Sequence, residues 1–158
     1  MTQEEFKAQQ RSKEDIELLI SELCQRMPYG IKLQKREEED TVYTLYSINL
    51  QSNELCFWKY KGESLRIADI GRIHRFGIPL YKPYLFPMSS ITEEQKEELC
   101  ILCDWHDDKN DAKSILILYQ GQFVMNTNVI DWFHKHHLDW RNLIPKGLAI
   151  DATGLNIY

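Results

Sequence analysis

The feature that most constrains this chain is a switch of hydrophobic period at Pro28-Tyr29-Gly30. Before it, Ile16, Leu19, Ile20, Leu23 and Met27 recur at the spacing of one helix face. After it, Ile31 and Leu33 alternate with Lys32 and Gln34, the period of a strand with one buried side. A helical stripe followed by a run of strands predicts an α+β fold. The helix is expected over residues 12–27, with Ser12 and Asp15 as a capping box. Residues 1–11 are polar and expected to be frayed or loosely helical. Glu17, Ser21, Glu22 and Gln25 fall off the stripe and are expected to face water, while Cys24 at its edge reads as a small hydrophobe.

Residues 30–90 read as a β-rich unit. The charged run Lys35 to Asp40 makes a solvated turn, and Val42 to Ile48 resumes the alternation of a strand. Leu55 to Tyr60 and Leu65 to Ile67 follow, so short antiparallel strands joined by tight turns predict a meander or a small SH3-like barrel. Residues 67–90 contain Gly71, Gly77, Pro79, Pro83 and Pro87, which break any long helix, yet are rich in Ile, Leu, Tyr and Phe. An edge strand and an extended segment laid across the barrel are expected there.

Residues 91–158 form a helical and hairpin C-terminal part of the same single domain. Ser90 or Thr92 caps a helix running to about Cys103, with Glu93 and Glu94 in its first turn. Asp104 to Lys113 is a charged connection, and Ser114 to Met125 reads as a hairpin turning at Gln120-Gly121. The stretch from Asn128 to Leu148 is the densest in aromatics and histidines. Asn128 and Asp131 suit a helix start, with Trp132 and Phe133 on its apolar sides. Asp139 can cap a second short turn holding Trp140, Leu143 and Ile144, which Pro145 and Gly147 end. The segment is expected to be a packing anchor, and the tail to add one final strand.

At 158 residues one domain is the default, and 43% hydrophobic with 27% charged residues is the balance of an ordinary globular protein. No apolar run approaches the ~20 residues of a bilayer span, and MTQEEFKAQQRSKED has no apolar leader core, so a cytoplasmic protein without a membrane partner is expected. Four cysteines without a repeated framework point to reduced thiols. A net charge of −5 argues against coating nucleic acid through overall charge, but not against a local basic patch.

Two blocks, Lys82-Pro-Tyr-Leu-Phe-Pro-Met-Ser-Ser-Ile-Thr-Glu-Glu94 and Asp131-Trp-Phe-His-Lys-His-His-Leu-Asp-Trp-Arg-Asn-Leu-Ile-Pro-Lys-Gly-Leu-Ala149, resemble a family of short uncharacterised bacterial proteins. That family is associated with prophage-like and other mobile regions. The resemblance implies a genomic context and carries no activity, cofactor or catalytic residue.

Three constellations could carry chemistry. Lys59, Lys61, Arg66, Arg72, Arg75 and Lys82 stand against only Glu63 and Asp69, with Trp58, Tyr60, Phe76, Tyr81 and Tyr84 among or beside them. Aromatic platforms flanked by cations are how small β units hold single-stranded nucleic acid, so Trp58, Lys59, Tyr60, Arg66, Arg72, Arg75 and Lys82 are the expected binding residues. His134, His137 and Asp139 are the types a metal-dependent hydrolase needs for a base or a metal-bound water. Cys100, Cys103 and His106, with a fourth ligand from His134, His136 or His137, are the nearest approach to a zinc set. In one continuous helix, however, His106 would lie about 9 Å along the axis from Cys100. No nucleophile elbow, phosphate loop or dinucleotide fingerprint is present. The expected function is therefore a non-enzymatic accessory protein of a mobile element, without a cofactor, that binds a protein or nucleic acid. Metal-dependent hydrolysis is the alternative.

Overall fold

A computed structural model describes residues 2–52, 54–59, 65–69, 74–75, 78–102 and 127–158. The fold is α+β. Helix α1 (Gln3–Arg26) begins well before Ser12, which is therefore an interior helix residue and not its cap. It ends in a 3-10 turn, Met27–Tyr29, closed by Gly30 at φ +70°. Only a residue free of a Cβ takes that left-handed conformation without strain, so the period switch in the sequence coincides with a physical stop.

The strands are β1 (Lys32–Lys35), β2 (Glu38–Asn49), β3 (Glu54–Lys59), β4 (Leu65–Asp69), β5 (His74–Arg75), β6 (Ile78–Pro79), β7 (Tyr81–Leu85) and β8 (Ile150–Asp151). The main sheet runs β4-β3-β2-β1-β7-β8, antiparallel except for the parallel β7–β8 pair; β5 and β6 form a separate short ladder. Strand β2 begins at Glu38, so most of the charged run is extended and only Arg36 and Glu37 make the turn. The sheet is open among the described residues, with β4 and β8 at opposite edges, so the meander is present but the SH3-like barrel is not. Strand β7 is also no edge strand, since β1 and β8 flank it. Helix α1 makes barrel closure unnecessary. Its Leu19 and Leu23 share one core with Leu33, Tyr43, Leu45, Leu55, Phe57, Tyr81 and Leu85, the alternate side chains of one sheet face. A helix laid on that face removes its apolar surface from water as closure would.

Helices α2 (Glu93–Leu102) and α3 (described from Thr127 to Lys135) build a second core from Ile91, Leu99, Val129, Trp132, Phe133 and Leu138. Thr92 is the cap of α2 in a reciprocal box. The Gln95 N–H donates to Thr92 Oγ1 at 3.2 Å, and the Thr92 N–H to Gln95 Oε1 at 3.0 Å. The second block packs as an anchor, with Phe133 fully buried and Trp132 nearly so. The charged connection and hairpin expected over residues 104–125 lie outside the described residues.

Two chain reversals follow α3, and both use one hydrogen-bond pattern. At the first, the Leu138 N–H reaches Phe133 O (2.9 Å) and the His137 N–H reaches His134 O (3.1 Å). At the second, the Leu148 N–H reaches Leu143 O (2.9 Å) and the Gly147 N–H reaches Ile144 O (3.0 Å). Each is a Schellman motif whose penultimate residue has positive φ, +54° at His137 and +73° at Gly147. Between them, Asp139 accepts the Leu143 N–H at 2.7 Å and the Ile144 N–H at 2.8 Å, capping the short turn as its spacing predicts. Asp139→Ala would strand two amides in a buried site and is expected to cost about 2 kcal/mol. A lower urea midpoint at unchanged m-value checks this.

Candidate functional site

The basic, aromatic residues singled out in the sequence are only partly brought together. Trp58 is exposed on the sheet face opposite α1, where the register sets it across from Thr44. Lys32 pairs with Thr44 on the other side, and its Nζ donates to Thr44 Oγ1 at 2.8 Å. The half-buried Lys82 of β7 lies opposite Gln34 of β1, on the same outer face. Four adjacent strands therefore carry Trp58, Thr44, Lys32 and Lys82, and the three inter-strand gaps from β3 to β7 span ~14 Å. Glu54 occupies the far end of this face on β3, so the positive charge is concentrated toward Lys32 and Lys82. Lys59, Arg66 and Arg75 belong to β3, β4 and β5; Tyr60 and Arg72 lie outside the described residues.

Sequence reasoning missed the partner of Trp58. The β2–β3 register shifts between Leu45 and Ser47, so Tyr46 is an inserted residue. The Tyr46 ring is 59% exposed and edge-on to Trp58, with centroids 5.7 Å apart at 81°. Alternation from the buried Tyr43 and Leu45 puts Tyr46 on the outer side, but the β2–β3 register that sets it beside Trp58 is not visible from residue types alone.

The three histidines at the end of α3 splay onto three different elements. His134 Nε2 accepts the Trp140 indole N–H at 2.9 Å. His136 faces α2, with Nδ1 3.2 Å from Gln95 Nε2 and Nε2 3.5 Å from Glu98 Oε2. His137 stacks on Tyr158, centroids 3.7 Å apart at 13°. Burial, reinforced by the Arg26 and Arg141 cations, pulls the His134 pKa down to about 4. Burial also lowers His136, against the opposing pull of Glu98. Both oxygens of Asp139 are engaged by backbone amides, so this carboxylate is committed to the turn it caps. Cys100 sits half-buried near the end of α2, while Cys103 and His106 fall outside the described residues. Among the described residues no group of three or more His, Cys, Asp and Glu could hold a metal ion.

A second unexpected grouping lies under these histidines. Glu22, assigned to the water face by its spacing, is fully buried, and so is Arg26. Arg26 Nε donates to Glu22 Oε2 at 2.8 Å and Nη2 to Leu138 O at 2.8 Å; Arg141 Nη1 reaches Glu22 Oε1 at 3.3 Å. Arg26 stands seven residues after Leu19 and three after Leu23, in line with the apolar stripe, but spacing alone does not tell a buried cation from one that reaches solvent. The ionic cluster ties α1 to the reversal after α3 and has the character of a structural clamp.

No family model, curated protein or solved structure matches the chain. Among the described residues no helix is long and apolar enough to cross a membrane.

Proposed function

We propose that this chain is a non-enzymatic binding protein that takes single-stranded nucleic acid on the outer face of its sheet. The carrying observation is the Tyr46–Trp58 pair, two aromatic rings exposed side by side with Lys32 and Lys82 on neighbouring strands. Exposed rings offer stacking surfaces to bases of any sequence, and flanking lysines meet the phosphates. The dispersal of His134, His136, His137 and Asp139 among structural partners favours this reading over metal-dependent hydrolysis. A cytoplasmic accessory role in a mobile element belongs to the same proposal and rests on the resemblance of the two sequence blocks.

The test is fluorescence anisotropy of labelled oligo(dT) and oligo(U) at low and high salt. Binding should weaken as salt rises. Trp58→Ala and Tyr46→Ala should each reduce affinity about tenfold, since base–aromatic stacking contributes about 1–3 kcal/mol. Lys82→Gln should lower the salt slope by about one. No binding at low salt, or binding indifferent to both aromatic substitutions, overturns the reading and leaves a protein as the partner of this face.

A further inference from the structure

The residue that ends α3 is an imidazole in a backbone conformation that favours glycine. His137 has φ +54°, and a side chain there costs on the order of 1 kcal/mol relative to glycine. Its ring is buried, and among the described residues Nδ1 has no hydrogen-bond partner. What the ring does is cover Tyr158, whose other ring neighbour is Phe86 at 5.9 Å. The Tyr158 hydroxyl accepts the Lys32 N–H at 3.1 Å and donates to the Tyr84 carbonyl at 2.8 Å. Lys32 and Tyr84 are the next opposite pair beyond Leu33 and Pro83, so the hydroxyl stands in for a ladder bond where β1 and β7 part. The Ala152 N–H donates to Leu85 O at 2.8 Å, and beyond it, among the described residues, residues 153–158 are pinned to the sheet by the Tyr158 side chain that His137 covers.

We propose that His137 is an acid-sensitive latch: its uncharged ring holds residues 153–158 on the β1–β7 junction, and protonation releases them. Among the described residues no carboxylate forms an ion pair with the His137 ring. Arg26 faces it from α1, Lys32 from β1 and His136 from its own turn. Glu22 is held by Arg26 and Arg141, and Asp139 by the Leu143 and Ile144 amides. His134 is engaged by Trp140. The phenols of Tyr84 and Tyr158 both have raised pKa values, so neither supplies negative charge in the acid range. Burial first, then Arg26, His136 and Lys32, bring the latched His137 to about pKa 4, against 6.5 for a solvated ring. Protons therefore bind the released form more tightly, and acid favours release.

Hydrogen exchange of the full chain tests this through the Lys32 amide, whose acceptor is the Tyr158 hydroxyl. Between about pH 7 and about pH 4.5 its protection factor should fall at least about tenfold more than those of core amides such as Leu23 and Phe57. His137→Gln, which cannot titrate, should abolish that difference between the two pH values. Tyr158→Phe keeps the ring stack but not the hydroxyl, and should leave Lys32 weakly protected at both. A loss at Lys32 that persists in His137→Gln, or that merely parallels the core amides, overturns the proposal.

Discussion

Glu22→Ala is expected to lower the unfolding free energy by about 3–5 kcal/mol, a large share of the roughly 5–15 kcal/mol that holds a domain together. The reason is what it leaves behind. Arg26 is fully buried, and its Nε has the Glu22 carboxylate as its partner at 2.8 Å. Among the described residues Arg26 Nη1 already lacks a hydrogen-bond partner, so removing the carboxylate would leave a buried cation without its counter-charge. Arg141 loses the same carboxylate but is partly exposed and lies over the Trp140 ring at 4.9 Å, so its loss is small. A Glu22→Leu, Arg26→Met double variant removes both charges and should recover at least about half of the loss, because a buried ion pair replaced by apolar groups is often near neutral. Urea denaturation of the single and double variants gives both numbers. A single-variant loss under about 1 kcal/mol would show that the cluster is solvated and not a clamp.

That cluster also marks where sequence reading reached its limit. Leu19 and Leu23 announce a helix face because an apolar side chain has one favourable place, away from water. Glu22 and Arg26 have two, solvent or each other, and the choice is made by Leu138 O and Arg141, more than a hundred residues downstream. The same contrast separates the two Schellman stops. Gly147 was legible because glycine is the usual residue at positive φ; His137 takes the same conformation with no local signal. Asp139 was legible as a cap, since its partners lie within five residues. The strands of the meander were local enough to be read, but whether they close into a barrel depends on the β1–β7 pairing and on α1, which are long-range facts. For the candidate site, alternation puts Trp58 on the face opposite Phe57 and Tyr46 on the face opposite Leu45, but the register that sets the two rings side by side is not encoded in any residue type.

Acid should destabilise the whole fold through His134, independently of the tail. The ring is buried at 2% exposure, accepts the Trp140 indole N–H through Nε2, and lies near the charges of Arg26 and Arg141. Protonation at Nε2 would set two N–H donors against each other beside two cations. Burial, then Arg26 and Arg141, lower the folded pKa to about 4 from the 6.5 of a solvated imidazole. Below pH 6.5 the unfolded chain then binds more protons than the folded one, so stability is complete above that pH and declines as pH falls toward 4. One pKa unit corresponds to ~1.4 kcal/mol, so the loss attributable to His134 should approach about 2 kcal/mol at pH 5 and about 3 kcal/mol at pH 4. His134→Gln keeps an acceptor for Trp140 without a titratable ring. Its urea midpoint should be lower at neutral pH but flatter between about pH 6.5 and about pH 4 than that of the parent chain. If the two profiles run parallel, His134 is not the group that acid acts on, and its neutral, buried role as the acceptor for Trp140 would have to be abandoned.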